Sequence, residues 1–185
     1  MPILGVIASS KLTAVASNYE SIATVTLGSN QTTVNFNSIP QTYKHLQITA
    51  SFLETGDGDV QMTYNGDTTM TNYSVHTLSG NGSGTPGGGS NLTTNEIMYL
   101  YPANSDSVPV AAVIDFIDYT NTSKFKTQQI WCGCVDTSGN GKISWESQNW
   151  RNTAAITSIQ LFSHPASTAK TFFTGSKFEL YGIKE

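Results

Sequence analysis

The chain has 185 residues, a hydrophobic fraction of 38%, a charged fraction of 12% and a formal net charge of -4. That length suits one domain that buries its own core without a metal or disulfide staple. The charge content is about half the roughly 25% of ordinary soluble chains. The few cations are scattered, with no basic stripe to displace phosphate counterions and no apolar run of about 18 residues, so nucleic-acid binding and a membrane span are not expected.

Residues 1–18 read as an arm. The opening Met1-Pro-Ile-Leu-Gly-Val-Ile-Ala-Ser-Ser10 is apolar, and its first cation, Lys11, follows the apolar stretch where a secretory signal would place it before. A polar spacer, Thr13 to Asn18, comes next. An apolar arm left exposed is a liability, whereas docked on a partner it is an anchor. Pro2, Ile3, Leu4, Val6 and Ile7 are therefore the candidate partner-binding residues, acting by adding a strand to a sheet edge. A first strand of the same domain is the alternative.

Residues 19–185 read as a single β-sandwich domain. β-Branched and aromatic runs recur from Glu20 onward, broken by Gly, Asn, Ser, Thr and Pro. Strands are predicted near 20–27, 31–37, 44–53, 59–64, 73–78, 94–101, 109–118, 124–134, 142–148, 155–162 and 176–183. Leu46, Ile48 and Ala50 alternate with Gln47 and Thr49, which gives one buried and one wetter face. Val110 to Ile117 is almost continuously apolar and predicts a central strand covered on both sides. The Gly-rich stretch 79–91 predicts an exposed loop. About ten strands with no sustained helical period give an all-β, antiparallel, jelly-roll-like sandwich.

Motifs for chemistry are sparse. Cys132 and Cys134, two apart, predict two thiols on one strand face and no disulfide. His45, His76 and His164 stand in unrelated segments without a nucleophile motif. Asp115 and Asp118, three apart, face opposite ways. Asp118 predicts an ion pair with Lys124 across a hairpin, and Asp115 needs a donor. Asp136-x-Ser138-x-Asn140-Gly141 echoes a calcium loop but has Ser147 where the bidentate acid belongs, so a plain turn is the better reading. No catalytic residue, cofactor or metal ligand is assigned. Trp131, Trp145 and Trp150 fall in or beside one hairpin region, where they either stack on sugar rings or fill the core or an interface.

Several segments together are similar to a family of small virion proteins of tailed bacteriophages. They are the opening decapeptide, Tyr19-Glu-Ser-Ile-Ala-Thr-Val25, Ser38-Ile-Pro-Gln-Thr-Tyr-Lys-His-Leu-Gln47 and Tyr64-Asn-Gly-Asp67. Asn72-Tyr-Ser74, Asp115-Phe-Ile-Asp-Tyr119, Asn121-Thr-Ser-Lys-Phe-Lys126 and Phe178-Glu-Leu-Tyr-Gly-Ile-Lys184 complete the set. The resemblance spans nearly the whole chain, departs at Cys132-Gly-Cys134 and in the length of the Gly-rich stretch, and carries no catalytic residues.

It implies a structural protein on the particle exterior, assembled in the bacterial host cytoplasm. An arm and one domain without a fibre shaft favour a capsid decoration or cement protein, a homotrimer anchored to the major capsid protein. The rival reading is the knob of a tail or neck fibre, anchored to a tail or neck protein and recognising host glycan. A polysaccharide depolymerase is a third class, without paired acids or a long repeat to support it.

Overall fold

A computed structural model describes residues 17–54, 60–82, 87–91, 108–135, 141–163 and 170–184. The strands are β1 (Tyr19–Thr26), β2 (Thr33–Phe36), β3 (His45–Phe52), β4 (Val60–Tyr64), β5 (Tyr73–Gly80) and β6 (Gly87–Asn91). They continue with β7 (Val110–Ile117), β8 (Lys126–Val135), β9 (Gly141–Trp150), β10 (Ile159–Ser163) and β11 (Lys177–Ile183). All ladders are antiparallel. Eight strands form one sheet in the order β1-β11-β3-β7-β8-β9-β5-β6, and β2-β10-β4 form a second.

The expected β-sandwich is present, divided eight and three. One apolar core joins the sheets: Val34, Phe36, Met62, Tyr64, Ile159 and Leu161 from the small sheet meet Leu46, Ile48, Phe52, Ile114, Phe116, Phe178 and Leu180 from the large one. Phe52 packs on Phe172 and Phe178, and Tyr64 lies against Phe116, Tyr73 and Trp150. These aromatic contacts bind the layers beyond the burial of apolar area alone.

The runs Tyr64–Asp67 and Asp115–Tyr119 each fix a turn. Asn65 and Gly66 leave β4 with φ of 52° and 71°, the left-handed region that Asn and Gly tolerate best. The Asn65 amide then accepts from the backbone of Thr157 and Ser158 and donates to the Ala155 carbonyl, which ties the run into β10 to this turn. Asp67 accepts from the Thr69 backbone, the Asn72 amide and the Trp150 indole N–H, all at 2.8–2.9 Å. At the end of β7, Asp118 turns the chain with φ 49° and the buried Tyr119 hydroxyl donates to the Pro40 carbonyl.

Two expectations need correction. The Gly-rich stretch 79–91 is not all loop: β5 runs to Gly80, and Gly87–Asn91 pairs with it as the sheet edge. An outer strand there needs little side-chain packing, because the cross-strand ladder supplies its hydrogen bonds. Strand β7 is covered on one face only. Val110, Ala112, Ile114 and Phe116 are buried, while Ala111 and Ile117 are exposed and Val113 and Asp115 half-buried. The predicted strand 94–101 lies outside the described residues.

Candidate functional site

The hairpin of β8 and β9 inverts the usual pattern. Gln128, Ser144, Glu146 and Gln148 point inward and are buried, whereas Trp131, Ile143 and Trp145 point outward and are exposed. Registration sets both faces at once, since side chains alternate with a period of two. Trp150 closes the hairpin inward at 1% exposure, held by Asp67. Pinning that end fixes the direction of every residue before it.

On the outer face the register aligns a row across five strands: Thr49, Val113, Trp131, Trp145 and Leu78. Trp131 and Trp145 are directly opposed, with ring centroids 5.0 Å apart and planes 9° from parallel. That spacing equals the ~4.8 Å between strands. The two indoles therefore stand up from the sheet like adjacent cards, each giving one face to the other. Trp131 is 48% and Trp145 40% exposed. Beside the free face of Trp131 the sheet surface is lowered by small residues. Thr49, Ala111, Val113, Gly133, Lys142 and Ile143 are among the residues that line, with Trp131, a depression of about 720 Å³.

One row further along the strands the outer face turns polar: Gln47, Asp115, Gln129, Ser147 and His76 lie in register. Asp115 finds the donor its position demanded. The Gln47 amide donates to its carboxylate at 2.8 Å, and the Tyr19 hydroxyl donates to the Gln47 carbonyl at 2.7 Å. Tyr19 in turn stacks on Tyr181, centroids 4.6 Å apart. Burial raises the Tyr19 hydroxyl above its ordinary value, with the neighbouring Tyr181, Asp115 and Glu179 adding to the rise. It stays a donor at neutral pH and holds this chain in one direction.

The other predicted residues fall as follows. Pro2, Ile3, Leu4, Val6 and Ile7 lie outside the described residues, as do His164 and Asp136 to Asn140. Trp150 is a core residue, not part of an exposed tryptophan cluster, because its indole caps the hydrogen-bonded Asp67 turn. Cys132 and Cys134 are both buried, inward-facing and not joined to each other. Asp118 takes the expected ion pair with Lys124, and the Lys124 hydrogen bond holds its carboxyl below the usual range. His45 accepts the Asp118 backbone N–H through Nδ1, a structural role.

Sequence reading missed two buried acids. Glu54 accepts from the Ser163 hydroxyl, and Glu146 accepts from Gln148 and Ser144 inside the sheet. The alternation Ser144-x-Glu146-x-Gln148 was a visible signal, but it reads as the wet face of a strand. Among the described residues no three His, Cys, Asp or Glu side chains gather at metal-binding distance, and no helix is long and apolar enough to cross a membrane.

No protein-family model matches this chain, and no curated protein is significantly similar to it.

Proposed function

We propose that the chain is a structural protein of the exterior of a tailed-bacteriophage particle, and more narrowly a trimeric capsid decoration protein that cements the assembled head. The motifs distributed along the sequence motivate this reading. The observation that carries it is how the chain enters and leaves the sandwich. Lys184 donates its backbone N–H to the Asn18 carbonyl at 2.9 Å, so both ends meet where edge strand β1 pairs with β11. The chain thus enters the sandwich at one edge of the large sheet. The Trp131–Trp145 ridge stands on β8 and β9, four and five strands from β1, or about 20 Å away at the usual strand spacing. Such a module has an anchor at one side and leaves the other face outward.

A copy that binds only the assembled shell stabilises it by mass action. Particles lacking the protein are therefore expected to release their genome at a lower temperature. Adding the purified protein should restore the normal temperature, and a chain shortened by residues 1–16 should fail to bind. Quantifying the protein in purified virions decides the narrower point. Hundreds of copies per particle support decoration, and a handful place the chain on a fibre or neck instead.

A further inference from the structure

The outer face of the eight-stranded sheet combines features that an assembly role does not use. We infer that it is a binding site for a neutral, hydroxyl-rich oligosaccharide built of pyranose rings, with Trp131 as the stacking platform and Asp115 as the principal hydroxyl acceptor. The inference stands apart from the decoration role, since it concerns the outer face of the sheet and not the N-terminal arm.

The size of the patch suits this occupant. The exposed parts of Leu78, Trp131, Ile143 and Trp145 offer on the order of 400 Å² of contact, scaling the 150–250 Å² of a large side chain by the fractions left open. A stable protein interface needs about 800 Å² from each partner. Only somewhat more than half of such an interface is apolar, so the patch alone does not exclude a protein partner, and it suffices for two or three sugar rings. The adjoining depression, about 720 Å³, falls within the size range of small-molecule sites.

Shape and chemistry agree. Trp131 has spent one ring face on Trp145, and its other face borders a floor of Val113, Ala111 and Gly133. A pyranose standing on edge in that depression lays its apolar C–H face on the indole. Its hydroxyl edge then reaches along the strand by one two-residue step, roughly 6.8 Å, to the row of Asp115 and Gln129. Asp115 is already oriented by Gln47, which is itself fixed by Tyr19, so its carboxylate needs little reordering to accept hydroxyls.

Charge narrows the ligand further. The acids on this face are Asp115 and Glu179, of which Glu179 is paired with Lys177. Hydrogen bonding from Lys177 holds the Glu179 carboxyl below its usual range. Lys142 also lines the depression, and the Asp115 carboxylate beside the platform, held by Gln47, accepts from sugar hydroxyls and disfavours a second carboxylate at that end.

The test is a glycan array carrying neutral hexose oligosaccharides and acidic oligosaccharides as separate arms, probed with the full chain and with Trp131→Ala, Trp131→Phe and Asp115→Asn. The expected result is retention by neutral glycans. Trp131→Ala and Asp115→Asn should each weaken it at least tenfold, and Trp131→Phe should recover part of the loss. Far-ultraviolet circular dichroism verifies that each variant is folded. Sedimentation of the same variants checks the rival occupant. The inference is overturned if no neutral glycan is retained, if acidic glycans are preferred, or if Trp131→Ala binds as well as the parent. It is equally overturned if Trp131→Ala instead dissociates an oligomer.

Discussion

Hairpin β8–β9 and the neighbouring pair β3–β7 lie in one sheet, yet they spend their side chains oppositely. In β3 and β7 the inward positions are Leu46, Ile48, Ala50, Phe52, Val110, Ala112, Ile114 and Phe116, all buried and all apolar. In β8 and β9 the inward positions include Gln128, Ser144, Glu146 and Gln148, while two tryptophans and Ile143 face out. The first arrangement is what stability alone would choose. The second exposes large apolar groups and buries amides and a carboxylate, both costly. Sequences break local rules of this kind mostly at functional or strained sites. The difference makes the β8–β9 outer face the candidate contact surface, and it can be broken or sharpened by measuring what each face contributes.

The largest expected effect is on the tryptophan that points the ordinary way. Trp150→Ala removes a fully buried ring and a bond to Asp67, and should cost about 3–5 kcal/mol in denaturant unfolding. Trp145→Ala on the outer face loses chiefly its stack on Trp131, about 0.5–1.5 kcal/mol. Equal costs would mean that the outer pair is part of the core after all, and the contrast would fail.

A smaller effect of opposite sign is expected inside. Gln128 is fully buried, and among the described residues neither its Nε2 nor its Oε1 has a hydrogen-bond partner. Gln128→Met keeps the length of the side chain and removes the unsatisfied amide, so it should stabilise the protein by about 1–2 kcal/mol. A loss of stability on equilibrium unfolding would show instead that the buried amide is a required part of the sheet.

The same contrast explains what was legible in the sequence. Hydrophobic alternation located β3 and β7 within a residue, because there the pattern and the core agree, whereas the strand expected from 155 begins only at Ile159. The Asp118–Lys124 pair and the placing of both cysteines on one strand face followed from spacing alone. The division of roles among Trp131, Trp145 and Trp150 did not. In a run such as Ile143-Ser-Trp-Glu-Ser-Gln-Asn-Trp150, alternation fixes which residues share a face but not which face is the core. That choice is made by Asp67, 83 residues away in sequence, when it captures the Trp150 indole. The row of Gln47, Asp115 and Gln129 was equally hidden, since it exists only once three strands are in register.

The smallest effect tests that capture directly, through pH. Burial pushes the Asp67 carboxyl upward, but the hydrogen bonds from Trp150, Asn72 and Thr69 outweigh it and leave the group below its ordinary value. A carboxylate depressed in the folded state adds stability that is complete above its unfolded value, near 4, and disappears as pH falls through the folded value. Glu20, Asp118 and Glu179 are lowered as well, each chiefly by a hydrogen bond from an exposed lysine. Salt separates the two kinds, because exposed ion pairs are screened and the neutral donors around Asp67 are not. In high salt, urea unfolding from pH 6 down to pH 2 should therefore retain an acid-dependent loss of stability that Asp67→Asn flattens. A slope unchanged by Asp67→Asn would mean that the turn does not hold a charged group, and Trp150 would need another reason to face inward.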